Sequence, residues 1–241
     1  MHRALCHATF ISKKSKIVKL KYLVIVVALL IYAQNAQAQD WANLSKYSEA
    51  NAKLTMKSGN RIVFMGNSIT EGWMQDTTSF FYTKKYINRG IGGQTTPQML
   101  VRFRTDVIDI NADVVVILAG INDIAGNTGP STLEMIFNNI KSMAEIARAN
   151  NVKVILSSIL PANDFSWRPG LSPADKVVKL NEMINAYANK HGIVYLDYYT
   201  SMVDDNKGLK KEYTNDGVHP TLKGYQVMAP LAERAIAKAL Q

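Results

Sequence analysis

Four short polar stretches carry the residue types that acyl transfer requires. They are Gly66-Asn-Ser68, Gly90-Ile-Gly-Gly93, Gly120-Ile-Asn-Asp123 and Asp216-Gly-Val-His219. The reaction needs a nucleophile, a base that takes its proton, a group that orients the base, and hydrogen-bond donors for the oxyanion. The stretches offer a candidate for each requirement, in that order: Ser68, His219, Asp216, and Gly93 with Asn122.

Each of these residues also has a plain structural explanation. Ser68 follows an apolar run and a glycine, so it could simply cap the first turn of a helix. Asn122 could be a turn residue, and Asp216-Gly could form a turn with His219 on the surface. Asp216 and His219 could hold a metal ion, but no third ligand stands at a recognisable spacing. We therefore predict neither a metal nor a cofactor.

Residues 1–38 have the composition of a secretory signal peptide. Five lysines between positions 13 and 21 precede an apolar run over 22–33, and Ala36-Gln-Ala38 follows it. We predict cleavage after Ala38, a single domain over 39–241, and a periplasmic or extracellular location. The apolar run is shorter than the ~20 residues that span a bilayer, so no stable membrane span is expected after cleavage. An uncleaved anchor is the alternative.

Most of the net charge of +9 belongs to this leader. Residues 1–38 hold six of the 28 basic residues and none of the 19 acidic ones, so the remainder carries about +3. That balance does not indicate nucleic-acid binding. The single cysteine, Cys6, precedes the apolar run, so residues 39–241 contain no thiol. Their histidines are His191 and His219, and His191 is expected to end a helix beside Gly192.

Strand-like and helix-like segments alternate along residues 39–241. Apolar runs predict strands over 61–65, 86–89, 113–118, 152–157 and 193–196. Apolar periodicity predicts helices over 40–56, from 97 onward, and over 133–150, 173–190 and 221–240. This alternation predicts an α/β fold, a three-layer flavodoxin-like sandwich with a mostly five-stranded parallel sheet. The four polar stretches would then meet at the carboxyl ends of the strands or just before the last helix.

The four stretches, in this order on a βαβ pattern, resemble the signature of the SGNH (GDSL-like) hydrolase family. The resemblance runs from residue 63 to residue 220. It implies a flavodoxin-like fold and hydrolysis of esters or thioesters without a cofactor. It also implies that Ser68 attacks the carbonyl carbon, that His219 takes and returns the proton, and that Asp216 orients His219. The implied oxyanion hole consists of the backbone N–H groups of Ser68 and Gly93 and the side-chain amide of Asn122.

The chain departs from the family at one position. The family's first stretch usually reads Gly-Asp-Ser, whereas Asn67 stands here. Asparagine keeps a hydrogen-bonding carbonyl but loses the negative charge beside the nucleophile. Because Asp216 can still orient His219, we expect activity to survive.

The sequence thus predicts an exported serine esterase that acts on a small acyl ester. Compartment and family favour an acetyl ester, on a small molecule or a glycan. A lysophospholipase or thioesterase of the same family is one alternative. A non-catalytic carbohydrate-binding module on the same fold is another, favoured only by Asn67. Trp167, in a proline-flanked loop, is a candidate for the rim of the site, and the oligomeric state is not indicated.

Overall fold

A sheet of five parallel strands runs through the structure, a computed structural model that describes residues 40–54 and 59–241. The strands are β1 (Ile62–Gly66), β2 (Ile87–Gly90), β3 (Val114–Leu118), β4 (Lys153–Ser157) and β5 (Val194–Leu196). The helices are α1 (Ser48–Ala52), α2 (Ser68–Gly72), α3 (Phe80–Thr83), α4 (Thr96–Phe103), α5 (Ile121–Ile124), α6 (Leu133–Ala149), α7 (Ala174–His191), α8 (Tyr199–Met202) and α9 (Leu222–Leu240).

The strand order is β2-β1-β3-β4-β5, which confirms the predicted flavodoxin-like sheet. The chain reverses its direction across the sheet after β2, so the loops that follow β1 and β3 diverge to opposite faces. Gly66, the last residue of β1, pairs with Gly90 of β2 and with Leu118 of β3. The ends of all three strands are therefore level, and a crevice opens there.

Helices cover both faces of the sheet. Helices α4, α6 and α7 pack together on one side, and α9 packs against β3, β4 and β5 on the other. Every residue of β1 and β3 is buried, as expected for central strands covered twice. Helix α6 buries Ile136, Ile140 and Met143, whose spacing of three and four residues produced its predicted periodicity.

Two of the predicted helix positions are wrong. The predicted helix over 40–56 is reduced to α1, because Trp41 and Leu44 are 50% and 42% exposed and contribute no buried stripe. Helix α4 begins at Thr96 rather than Pro97, and Thr95 caps it through a capping box with Gln98.

Residues Ala42–Gln241 form one compact unit. The predicted signal peptide over 1–38 lies outside the described residues, so the leader and its cleavage after Ala38 stay predictions. Among the described helices, none has the length and apolar character needed to cross a bilayer.

Candidate active site

Ser68 is the first helical residue after β1, and its neighbour Asn67 is the N-cap. The Asn67 side-chain oxygen accepts a hydrogen bond of 3.0 Å from the backbone N–H of Ile69. The suggestion that Ser68 is merely a capping residue is therefore wrong. Gly66 makes the tight turn possible, since a Cβ there would lie 2.0 Å from the hydroxyl oxygen of Thr70. The turn leaves the Ser68 hydroxyl 2.9 Å from Nε2 of His219.

Asp216 and His219 lie on one loop that leads into α9. The Asp216 Oδ2 atom is 2.6 Å from His219 Nδ1, and Oδ1 accepts from the backbone N–H groups of Val218 and His219 at 2.9 and 2.8 Å. Gly217 between them has a φ of +85°, a conformation that glycine adopts without strain. Thr214 closes the loop by accepting from the Gly217 N–H at 3.0 Å.

The Asp216 carboxylate stays ionised at neutral pH. Burial raises its pKa, but the hydrogen bonds from the His219 ring and from the N–H groups of His219 and Val218 outweigh burial and lower the pKa to about 2. An ionised carboxylate can only accept, so the proton lies on His219 Nδ1 and Nδ1–H donates a hydrogen bond to Asp216 Oδ2. Nε2 is then the acceptor for the Ser68 hydroxyl, which is the arrangement a base needs toward a serine nucleophile.

Gly93 and Asn122 lie on the two neighbouring loops. Gly93 follows β2, has a φ of +75°, and is open to solvent. A Cβ at this position would meet nothing within 4 Å, so a lack of space does not explain the glycine. The positive φ explains it. Asn122 lies in α5, is 4% exposed, and donates one amide hydrogen to the Gln94 carbonyl at 2.9 Å. Its second amide hydrogen is thereby fixed in direction.

A buried network holds the loop after β2 and was not predicted. The Arg102 guanidinium, which is 0% exposed, donates to Gln94 Oε1 at 2.6 Å, to Asp106 Oδ2 at 2.8 Å and to the Gly66 carbonyl at 3.0 Å. Burial lowers the pKa of Arg102, and Asp106 opposes that effect. The Gln94 amide in turn donates to the Ala42 carbonyl at 2.7 Å. The signal that could have revealed it is a charged pair four residues apart, Arg102 near the end of α4 and Asp106 in the helical segment Arg104–Ile108 that follows.

Two further carboxylates position these loops. Glu71 accepts from the Gly92 N–H at 2.6 Å and pairs with Lys46. Asp123 accepts from the Thr96 N–H at 3.0 Å and from its hydroxyl at 2.6 Å, which ties α5 to the start of α4. Burial raises the pKa of Asp123 to about 6, although the bonds from Thr96 act in the opposite direction.

The base lies in an open, polar surrounding. The His219 and Asp216 side chains are 40% and 37% exposed. A groove of about 510 Å³ borders both, and Gln75, Asp76, Asn215, Thr221 and Leu222 contribute to its walls. The Trp167 ring centroid lies 6.1 Å from that of His219.

His191, in contrast, ends α7, and its ring packs against that of Tyr187. No group of three potential metal ligands occurs within residues 40–54 and 59–241.

Comparison with known proteins identifies relatives of this chain. Residues 64–227 match the GDSL-like lipase/acylhydrolase family. A predicted acylhydrolase from Bacteroides fragilis is 51% identical, with a TM-score of 0.82 over 84% of this chain and 100% of that one. A GDSL-like lipase from Bacteroides thetaiotaomicron is 50% identical, with a TM-score of 0.80 over 82% of this chain and 98% of that one.

A relative known from its sequence is the uncharacterised lipoprotein YqeF of Bacillus subtilis. It is 25% identical over 146 residues, and this chain spans 58% of its length, with 59% of this chain matched. The chain belongs to the GDSL-like lipase/acylhydrolase family. Its class is accordingly that of the carboxylic ester hydrolases.

Proposed function

We propose that this protein is an exported serine esterase that hydrolyses a small acyl ester. The observation that carries the proposal is the continuous hydrogen-bonded chain from the Ser68 hydroxyl through His219 to Asp216, with distances of 2.9 and 2.6 Å. Family membership supplies the reaction class, and this chain of groups supplies a nucleophile, a base and an orienting carboxylate.

In the proposed reaction, the Ser68 oxygen attacks the ester carbonyl carbon while His219 Nε2 takes the hydroxyl proton. The backbone N–H groups of Ser68 and Gly93 and the Asn122 amide hold the oxyanion. The alkoxide leaves with the proton from Nε2, which forms the free alcohol and an acyl-serine. Water then attacks the acyl-serine and gives its proton to His219. His219 returns this proton to the Ser68 oxygen as the bond to the acyl group breaks, which releases the carboxylic acid and restores the serine.

The proposed substrate is an acetyl ester, preferably on a carbohydrate. Two features support a bulky, polar alcohol: the exposure of the His219 and Asp216 side chains, and the amide, hydroxyl and carboxylate groups in the walls of the adjoining groove. An open site admits an ester carried on a large molecule, whereas a ligand tunnel would exclude it.

A lipase, lysophospholipase or thioesterase activity is the second candidate. A mainly apolar groove of about 520 Å³ lies beyond Glu71, with Tyr47, Leu54, Met74 and Ile87 in its walls. It offers apolar contact to an acyl chain that passes the loop of Gly92. The 50% identical relative from Bacteroides thetaiotaomicron, a GDSL-like lipase, also favours this candidate.

Replacing the nucleophile tests the proposal. With p-nitrophenyl acetate, Ser68→Ala is expected to lower kcat by at least about 10³-fold. Ser142→Ala, a change of the same kind on α6, is the control and keeps full activity. Equal rates for wild type and Ser68→Ala would refute the assignment of the serine.

A series of p-nitrophenyl esters from acetyl to palmitoyl separates the two candidates. The acetylesterase is expected to show its highest kcat/KM at the short end. A maximum of kcat/KM at about eight carbons or more would favour the second candidate, because each buried CH2 group adds about 0.8 kcal/mol of binding.

Export is proposed from the leader over 1–38, and the lipoprotein name of the Bacillus subtilis relative supports it. Mass spectrometry of the exported protein is expected to find Gln39 at its N-terminus. A mass that retains the leader would instead support the uncleaved anchor.

A further inference from the structure

The proposed reaction divides the surroundings of the site into two sides. The carbonyl oxygen must lie at Gly93 and Asn122, whereas the oxygen of the departing alcohol must reach the proton on His219 Nε2. A surface that borders His219 and lacks the oxyanion donors is therefore on the alcohol side. Two features of the structure fit this description, an exposed indole and a polar groove.

Trp167 presents the indole. Its ring is 43% exposed, its centroid lies 6.1 Å from the His219 ring, and the two planes meet at 38°. Phe165, 0% exposed, packs against it at 5.1 Å between centroids and fixes the base of the loop. An exposed aromatic ring on a buried aromatic anchor is typical of a surface that contacts a ligand.

The loop that carries Trp167 is fastened at both ends. The Asp164 carboxylate accepts from the N–H groups of Phe165 at 2.9 Å and Gly170 at 3.0 Å, which closes the loop on itself. Arg168 donates to the Ala125 carbonyl at 2.7 Å, which ties the loop to the end of α5. The indole is therefore held in place before a ligand arrives, and this lowers the entropy cost of binding.

The groove also borders His219, and Trp167 is not among the residues that line it. Of the three predicted catalytic residues it contacts Asp216 and His219 and not Ser68. Gln75 and Asn215 line it with amides, Thr221 with a hydroxyl, and Leu222 with an apolar patch that is 54% exposed. Amides and hydroxyls both donate and accept, and the Asp76 and Asp216 carboxylates in the same groove accept, so the lining matches hydroxyl groups better than an anionic or a fully apolar ligand.

We infer that Trp167 and this groove form a carbohydrate subsite for the alcohol half of the substrate. The indole stacks on the apolar face of the sugar ring that bears the ester, and Gln75 and Asn215 bind hydroxyl groups beside it. The inference rests on the proposed serine esterase function. It assigns alcohol selectivity to residues that take no part in the bond-making steps.

Two acetyl esters without aromatic leaving groups test the subsite, because a nitrophenyl ring could itself stack on Trp167. Methyl 6-O-acetyl-glucopyranoside provides a sugar alcohol with free hydroxyl groups beside the ester, and triacetin provides glycerol. Trp167→Ala is expected to raise KM for the sugar ester by about three- to tenfold, with kcat and the triacetin constants changed less than twofold. Trp167→Phe restores most of the loss. Gln75→Ala is expected to raise the same KM by about two- to tenfold.

Met135→Ala, at a 54% exposed apolar residue on α6, is the matched control, and it is expected to leave the KM and kcat for both esters unchanged. Equal losses on both esters would mean that Trp167 only supports the fold of the site, and no loss on either would mean that sugar does not contact it. Either result overturns the subsite while leaving the esterase intact. Full activity of Ser68→Ala on triacetin would instead overturn the esterase.

Discussion

At the end of β1, Asn67 caps the next helix and Ser68 faces His219, so capping and the proposed nucleophile are assigned to two residues. Asn67 caps α2 and is fully buried, with its Nδ2 atom lacking a hydrogen-bond partner within the described part of the chain. Ser68 is thereby free to face His219. The family's usual aspartate could cap the same helix with its own oxygen, so the asparagine preserves the turn. This weakens the only argument for a non-catalytic binding module.

Substitutions of Asn67 separate its capping role from electrostatics. Asn67→Ala is expected to lower the free energy of unfolding by about 1 kcal/mol, the usual effect of a lost N-cap. Asn67→Asp keeps the acceptor for Ile69 and is expected to change kcat/KM less than about tenfold, because Asp216, the proposed orienting carboxylate, is unchanged. Urea denaturation and ester hydrolysis measure the two effects. A gain above a hundredfold in Asn67→Asp would mean that Asn67 impairs the wild-type site.

Asn122 is the predicted oxyanion donor whose loss can be measured without disturbing the backbone. Asn122→Ala is expected to lower kcat by about 10²–10³-fold with little change in KM, because the bond strengthens as charge develops on the oxygen. Asn185→Ala, whose side chain bonds Asn189 within α7, is the control. A rise in KM at constant kcat would show that Asn122 binds the ground state instead.

At the scale of elements, α4 joins the three strand ends that build the site. Its Arg102 contacts the last carbonyl of β1 and the loop after β2, and Asp106 neutralises it in the interior. Ala42, from the segment before α1, reaches the same loop through Gln94. The loop after β2 is thus held by Arg102 and by the segment before α1, although it is short and rich in glycine.

Removing the Arg102 guanidinium is expected to destabilise the fold and slow the reaction. Arg102→Met leaves the buried Asp106 without its charged partner, which typically costs about 3–5 kcal/mol. The matched variant is Arg104→Ala, since Arg104 is 61% exposed and lies 3.8 Å from Asp109; its effect is expected within about 0.5 kcal/mol.

Urea denaturation measures both arginine variants. Gln94→Ala keeps the ion pair and therefore tests the loop after β2 apart from the stability of the fold. It is expected to lower kcat and to lower the free energy of unfolding less than Arg102→Met does. Equal stability of Arg102→Met and wild type would contradict the network.

At the scale of the whole molecule, the site exists because the strand order places β1 beside both β2 and β3. The hydrogen bond from Ser68 to His219 joins residues 151 positions apart. Asp123 and Thr96 fasten the loop after β3 to the helix after β2 across the same edge. Asp123 therefore helps to position the site, and its titration makes the stability of the fold depend on pH.

The raised pKa of Asp123 predicts a pH dependence of stability. An aspartate in the unfolded chain titrates near ~3.9, whereas burial raises the folded pKa to about 6. The folded state therefore binds the proton more tightly, and this residue's contribution to stability increases as pH falls from about 6 to about 4. Above about 6 the contribution is constant and unfavourable.

Asp123→Asn removes this titration while keeping an acceptor for the Thr96 N–H. Relative to the variant, the wild type is expected to gain about 2 kcal/mol of unfolding free energy between pH 7.5 and pH 4.5. Urea denaturation of both proteins at pH 4.5, 6 and 7.5 measures the gain. Asp205→Asn, on an exposed loop, is the control for the loss of a carboxylate. A difference that does not vary with pH would contradict the assignment.

The sequence by itself determined the elements and the chemistry of their ends. Buried strands such as β3 and amphipathic helices such as α6 leave periodic apolar patterns, because burial on a face repeats with the geometry of the backbone. Their predicted limits differ from the structure by only one or two residues. The polar residues that follow the strands were equally visible, although each of them alone could also have been a cap or turn residue.

Only the tertiary structure decided which of these residues meet. The bond from Arg102 to the Gly66 carbonyl and the approach of Trp167 to His219 depend on contacts between segments that no local pattern links. The short helix α1 was overestimated for the same reason, because whether Trp41 and Leu44 face the core depends on what packs against them. Periodicity records burial along one segment, whereas a site depends on distances between segments that the strand order of the sheet sets.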